Sequence, residues 1–195
     1  MRTGEKETEV KLAVSDVAQT RRRVRALGFG IVQRRSFERN TLFDTAGKAL
    51  SQRNCLVRLR SVNGRHWLTF KGPARGSQRY KVRREFETEL TDAGAAARIL
   101  AGLGLRPVFR YEKFRTVYAA EGRWRGGEVM LDETPIGAFL ELEGPPPWIR
   151  RVARALGAGR DRFITSSYAT LYWLWCQQRG RPGRNMVFPR RRLSP

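Results

Sequence analysis

From residue 79 to residue 89 every odd position is charged: Arg79, Lys81, Arg83, Glu85, Glu87 and Glu89. The even positions up to residue 90 include Tyr80, Val82, Phe86 and Leu90. A period of two is the signature of a strand, because successive side chains leave opposite faces of the pleated chain. The pattern recurs along the sequence. Glu7, Glu9 and Lys11 share one face while Val10 and Leu12 share the other, and Arg58 with Arg60, Lys113 with Arg115, and Glu141 with Glu143 form further same-face pairs. Such neighbours sit about 6–7 Å apart. Like charges at that spacing repel, so they call for opposite charges or a ligand close by. A solvated strand face explains any single pair. Recurrence on five strands, with both signs present, sets a charged interior that holds a charged ligand beside the solvated face as an equal reading of the pattern.

Strands are expected at 5–12, 29–43, 55–62, 65–71, 79–90, 108–120, 124–132 and 138–143, with Asn63-Gly64 as a two-residue hairpin turn. Helices are expected from Ser15 or Asp16 to Leu27, from Thr91 or Asp92 to Leu103, and over 148–156 and 165–178; residues 44–51 and the Gly/Ser stretch 74–77 read as loops. Eight strands and four helices, with strands mostly joined as hairpins, make an α+β chain dominated by an antiparallel sheet. Eight strands can close into a barrel. The alternation alone does not separate a closed barrel from an open sheet with one wet face.

The length of 195 residues suits one domain. No apolar run approaches the roughly 20 residues that span a bilayer. The N-terminus, Met1-Arg2-Thr3-Gly4-Glu5-Lys6-Glu7, lacks the apolar stretch of a signal peptide, so no membrane attachment and a cytoplasmic location are expected. Cys55 and Cys176 lack a zinc-site pattern, and His66, the single histidine, has no nucleophile motif around it. The net charge of +21 suits polyanionic partners: nucleic acid, phosphorylated small molecules or acidic surfaces. Residues 179–195 hold six arginines, three prolines and no acid. They read as a disordered basic tail following a domain over 1–178, and as a candidate contact for acidic polymers.

Several motifs occur in a telling order. Glu7-x-Glu9-x-Lys11 is followed by Arg58-Leu59-Arg60, Leu68-Thr69-Phe70-Lys71-Gly72-Pro73, Lys81-x-Arg83-x-Glu85 and Tyr111-Glu112-Lys113-Phe114-Arg115. Then come Leu131-Asp132-Glu133-x-Pro135-x-Gly137-x-Phe139-x-Glu141-x-Glu143-Gly144 and Ser167-Tyr168. The set resembles the CYTH, or triphosphate tunnel metalloenzyme, superfamily. The stretches 68–73 and 137–144 are most similar to its class IV adenylyl cyclase branch. The resemblance implies an eight-stranded antiparallel closed barrel with a polar tunnel and helices outside. It implies that Lys11, Arg58, Arg60, Lys71, Lys81, Arg83, Lys113 and Arg115 hold a triphosphate. Glu7, Glu9, Glu141 and Glu143 would bind Mg²⁺ or Mn²⁺. Glu7, Glu9, Lys11, Glu85 and Asp132 would take part in catalysis, with Glu85 and Glu87 alternatives for one role. The implied substrates are ATP, giving cyclic AMP and pyrophosphate, or inorganic, thiamine or nucleoside triphosphates split by hydrolysis. Family members are often dimers, so a homodimer is among the expectations. The rival of another class is a basic nucleic-acid- or polyphosphate-binding protein.

Overall fold

The computed structural model describes residues 2–73 and 80–189, with side chains from residue 7 onward. Arg79, the loop 74–77 and residues 190–195 lie outside the described residues. The alternating segments become β1 (Arg2–Val14), β2 (Gly30–Asp44), β3 (Leu56–Val62), β4 (Arg65–Lys71), β5 (Lys81–Leu90), β6 (Arg106–Ala119), β7 (Glu128–Thr134) and β8 (Gly137–Glu143). They close into a barrel in the order β1-β5-β4-β3-β2-β6-β7-β8, every pairing antiparallel. Closure leaves no sheet edge to protect. It also gives the sheet an inside, so the open sheet with a wet face drops out.

The helices are α1 (Val17–Ala26), α2 (Ala49–Gln52), α3 (Ala93–Gly102), α4 (Pro146–Ala155) and α5 (Tyr168–Gln177). Asp16, Asp92 and Ser167 cap α1, α3 and α5 by accepting the backbone N–H of the residue three positions on, at 2.9, 2.9 and 3.1 Å. The described residues hold one helix more than expected, because α2 falls in the loop 44–51. The Asp44 carboxylate organises that loop by accepting the N–H groups of Thr45, Leu50 and Ser51 at 2.8–2.9 Å. α4 starts inside the proline run, since proline suits the first helical turn, where no intrahelical N–H bond is needed.

The seventh strand begins at Glu128, four residues later than the alternation suggests, and Trp124 sits in a 3-10 turn over Gly122–Trp124. The reason is local. Gly126 has φ +110, and a Cβ on Gly127 would meet the Glu143 carbonyl at 2.5 Å and the Trp148 ring at 2.8 Å. Only a glycine pair lets this chain pass beneath Trp148. At the other terminus, Met186 N–H donates to the Arg110 carbonyl at 2.9 Å, and Glu112 N–H donates to the Met186 carbonyl at 2.8 Å. Met186 is fully buried against Tyr111, Phe139 and Tyr168.

The barrel carries its main apolar core outside. Val10 and Leu12 of β1, Val129 and Leu131 of β7, and Leu140 and Leu142 of β8 turn outward. They meet Val24 of α1 and Trp148, Ile149, Val152 and Ala153 of α4. The Trp148 indole N–H donates to the Trp124 carbonyl at 2.6 Å, which satisfies its one polar atom in this layer. The opposite faces of the same strands point inward. Trp148→Ala should therefore cost about 3–5 kcal/mol of unfolding free energy, read by urea denaturation. A loss under 1 kcal/mol would mean that α4 contributes little to holding the barrel.

Candidate functional site: a charged tunnel

Inside the barrel lies a cavity of about 260 Å³. Its described lining holds seven cations (Lys11, Arg58, Arg60, Lys71, Lys81, Lys113 and Arg115). It also holds eight carboxylates: Glu7, Glu9, Glu38, Glu85, Glu87, Glu128, Glu141 and Glu143. The near balance matters, because the whole chain has 39 basic and 18 acidic residues. The surplus of +21 is therefore carried outside this lining. At one end Glu7, Glu128 and Glu143 also border a second, wider cavity of about 490 Å³, together with Ala119 and Ala120 at the close of β6. Towards the opposite end the lining turns to Leu42, Leu56 and Tyr111 and to Ser167–Ala169 at the start of α5.

Register explains the grouping. Glu9 of β1 lies opposite Glu143 of β8, which lies opposite Glu128 of β7. Lys11 lies opposite Glu141, and Glu7 opposite Arg83. Glu7, Glu9, Glu38, Glu85, Glu87 and Glu141 are each met by a cation from another strand. Lys81 reaches Glu9 at 2.6 Å, and Lys11 reaches Glu9 at 3.2 Å and Glu141 at 2.8 Å. Lys71 spans Glu7 at 2.6 Å and Glu85 at 2.8 Å. Glu87 accepts from Arg60 at 2.5 Å, from Arg58 at 3.3 Å and from the Thr69 hydroxyl at 2.7 Å. Both Glu85 and Glu87 thus face the tunnel.

Asp132 is fully buried and lies off the cavity lining. It sits opposite Arg115 in register and accepts from Arg115 at 2.6 Å, from Lys113 at 2.9 Å and from the Tyr168 hydroxyl at 2.7 Å. It fixes the two cations from beneath. Arg115 also pairs with Glu141. Arg83 is absent from the lining too, and donates to the Asn54 carbonyl at 2.9 Å. The remaining residues singled out by the motifs, including Glu143, border the cavity. Glu38 and Asn40 of β2 were not anticipated. Both are buried on the inner face, where Glu38 lies 3.4 Å from Lys113. An inward row of Ser36, Glu38 and Asn40 is legible in β2 only once the outward positions of Phe37 and Phe43 are known.

Burial alone would raise the carboxyls of Glu7, Glu9, Glu38, Glu85, Glu87, Asp132 and Glu141, but the neighbouring cations reverse this for all of these except Glu7. Lys11 and Lys81 bring Glu9 down to about 2, and Lys71 does the same for Glu85. Lys113 and Arg115 bring Glu38 and Asp132 to about 2. Glu7 differs. Burial pushes it up to about 7, Lys71 opposes the rise only in part, and Glu9 and Glu85 add repulsion. The Tyr168 phenol is pushed well up by burial and by Asp132, which keeps it a hydrogen-bond donor.

Among the described residues no three acidic or histidine side chains already converge as a metal cage would. The donor set is nonetheless oxygen-only, the choice of hard divalent cations. Glu7, short of positive charge at about 7, is the kind of carboxyl that a cation would ionise. The residues present therefore fit such an ion at the Glu7, Glu9, Glu141 and Glu143 end of the lining.

The four carboxyls lowered to about 2 contribute stability that is full above their ordinary values near 4. That stability is lost as pH falls through the folded values. The melting temperature should drop steeply between about pH 4.5 and 2. A flat profile across that window would contradict the pairing described above.

A CYTH domain family model matches residues 5–153. Among solved structures, the PH1819 protein of Pyrococcus horikoshii superposes with a TM-score of 0.73 at 24% identity, covering 86% of this chain and 98% of that one. A Vibrio parahaemolyticus protein carrying a provisional adenylate cyclase name gives a TM-score of 0.73 at 19% identity, covering 87% and 98%. A Hippeastrum protein gives 0.60 at 17% identity, covering 91% and 97%. At these identities the likeness concerns the fold. No curated protein matches the sequence. With three quarters of its length matched by the family model and its charged strands closed into this tunnel, the chain belongs to the CYTH family.

Proposed function

We propose that the tunnel binds the triphosphate of ATP together with a divalent cation and converts ATP to cyclic AMP and pyrophosphate. The observation that carries this is the cavity inside the closed barrel, where seven cations and eight carboxylates line about 260 Å³. A phosphate chain needs the cations, arginine gripping its oxygens bidentately. Triphosphate tunnel enzymes of the family use divalent metals. In this chain Glu7, Glu9, Glu141 and Glu143 would hold the ion, and Lys11, Arg58, Arg60, Lys71, Lys81, Lys113 and Arg115 the phosphates. The bound ion would supply charge neutralisation on the phosphate oxygens.

The ribose 3′-oxygen attacks the α-phosphorus as the bond from that phosphorus to its bridging oxygen breaks. The bridging oxygen keeps the electron pair and leaves with pyrophosphate. A tunnel carboxylate takes the hydroxyl proton, and Arg58, Arg60 and Lys113 bear the growing charge on the leaving group. Positioning and preorganised charge supply the rate, with no covalent intermediate. Asp132 holds Arg115 and Lys113 in place for this task. Arg83, bonded to Asn54, would act at the rim. The likeness of 68–73 and 137–144 to the cyclase branch favours this reaction.

A second reading has one specific support. The Hippeastrum protein, provisionally named an adenylyl cyclase, is described as having a dominant triphosphatase activity. The same tunnel would then direct water at a terminal phosphorus. Incubation with Mg²⁺ or Mn²⁺ and ATP, inorganic triphosphate or thiamine triphosphate separates the two by product. Cyclic AMP with pyrophosphate is the expected result, and orthophosphate alone would establish hydrolysis instead. Glu9→Ala and Glu143→Ala should abolish turnover in a folded protein, and full activity in either would remove the metal assignment. Arg58→Ala should raise KM about tenfold or more, in line with the loss of a charged hydrogen bond of about 1.5–3 kcal/mol. Unchanged kinetics would take Arg58 out of the tunnel's work.

A further inference from the structure

The positive charge outside the tunnel is concentrated on two helices. α1 carries Arg21, Arg22, Arg23 and Arg25, and α4 carries Arg150, Arg151 and Arg154, with no acidic residue on either. Val24 turns α1, and Ile149 with Val152 turns α4, into one apolar layer over β1, β7 and β8. Their arginines leave from the other sides of the helices. Arg22, Arg23, Arg25, Arg151, Arg154 and the following Arg160 are all exposed, and none forms an ion pair with a described residue. Elsewhere on the exterior such partners exist. Arg21 and Arg35 meet Glu133 at 2.7 and 3.0 Å, and Arg65 meets Glu89 at 2.6 Å.

Two groups of these arginines are gathered. Arg150, Arg154 and Arg160 converge on a cleft of about 240 Å³ with no carboxylate in its described lining. Arg150 touches the Tyr80 hydroxyl at 3.5 Å, while Arg154 and Arg160 bond nothing described. Arg151 donates to the Arg123 carbonyl at 3.0 Å, and the Arg123 and Arg151 guanidiniums lie 4.9 and 5.8 Å from the centre of the Trp124 ring. Arg22 with Arg25, Arg151 with Arg154, and Arg150 with Arg154 stand three or four residues apart, where like charges on a helix repel. The helix dipole favours Arg23, Arg25 and Arg154 in their last turns, but not Arg22, Arg150 or Arg151. A solvated helix face needs only charges of mixed sign. The excess calls for an anion from outside.

We propose that the α1–α4 face binds the phosphate backbone of double-helical nucleic acid, at a site separate from the tunnel. Guanidinium groups pair bidentately with phosphate oxygens. Each helix has ten residues and so runs about 15 Å. A duplex carries one negative charge about every 1.7 Å of its axis, so several phosphates come within reach of each helix. The exposed large apolar side chains, such as Val32, Phe86, Leu103 and Trp173, lie off α1, α4 and the loop 157–163. A helix lying on a membrane needs such side chains to enter the lipid. A single strand needs exposed rings on which its bases stack, and here Trp124 and Trp148 are buried. The face that remains grips backbone charge and reads no base sequence.

The test is fluorescence anisotropy of the full chain with a labelled DNA duplex. Affinity for a duplex of about 30 base pairs should fall at least about a hundredfold between about 50 and 200 mM salt, since each neutralised phosphate adds about 0.9 to the slope of log affinity against log salt. The combined variant Arg22→Gln, Arg23→Gln, Arg154→Gln and Arg160→Gln should bind the duplex at least about tenfold more weakly, with a slope shallower by about 3. Its melting temperature and its affinity for inorganic triphosphate should not change, because none of the four bonds a described residue or borders the tunnel. A control of equal charge, Arg98→Gln, Arg179→Gln, Arg181→Gln and Arg184→Gln, should keep most of the duplex affinity. Equal weakening in the two variants, or none in the first, overturns the assignment, as does a wild-type protein that leaves the duplex unbound at low salt. Equal affinity for the unpaired strand, or tighter binding to vesicles rich in phosphatidylserine, overturns the choice of a duplex.

Discussion

The structure depends on an ionic lattice where most proteins keep their oily core. Lys11, Lys71, Lys81, Arg58, Arg60, Lys113 and Arg115 are each held by carboxylates from other strands, at distances down to 2.5 Å, within a closed barrel. Taking such charges out of water is costly. Attraction in a less polar interior offsets that cost only where every charge is paired, and apolar residues of similar volume would commonly do as well. Set against an apolar filling the lattice therefore gains little, while unpairing any one of its charges is strongly destabilising. The cohesion lies outside, where α1 and α4 cover Val10, Leu12, Val129, Leu131, Leu140 and Leu142. The barrel is inverted: its apolar side faces the helices and its charged side faces in.

That inversion ties fold to chemistry. A tunnel carboxylate pairs with cations that a phosphate could claim, and a tunnel cation pairs with carboxylates that a metal ion could claim. Lys71, between Glu7 and Glu85, is the clearest example. A metal–polyphosphate ligand would exchange partners without leaving a charge bare, so opening the lattice need not cost its full desolvation. Glu7, at about 7, is where the lattice is short of positive charge, and it stands at the mouth. The excess of basic residues over acidic ones lies outside this nearly neutral lining, so the net charge of +21 reports on the exterior rather than on the tunnel.

Much of this was legible in the sequence because a strand has only two faces. Once Val10 and Leu12 point one way, Glu9 and Lys11 must point the other, and the same parity carries Arg58, Arg60, Lys113, Glu141 and Glu143 inward. Parity fails where both faces are polar. In β2, Arg39 faces outward while Glu38 and Asn40 are buried, so nothing in the local pattern ranks one above the other. Asp132 was ambiguous for the opposite reason: its inner-face neighbour Met130 is apolar. Long-range docking is also invisible to period. Trp124 reads as a strand residue until Trp148 claims its carbonyl, and Met186 lies in a stretch that composition marks as tail yet is buried against Tyr111. Arg83 has tunnel parity, but it donates to the Asn54 carbonyl and does not border the cavity.

The central claim is that one enclosed lattice of acids and bases receives phosphates on its bases and a metal ion on its acids. A crystal structure grown with Mn²⁺ and an unreactive triphosphate, with anomalous scattering to locate the manganese, tests it most directly. The account predicts manganese against Glu9, Glu141 or Glu143 inside the barrel, and phosphorus within bonding distance of Arg58, Arg60 and Lys113. Manganese and phosphate found only on the arginine-rich exterior, with the tunnel ion pairs intact, would contradict it.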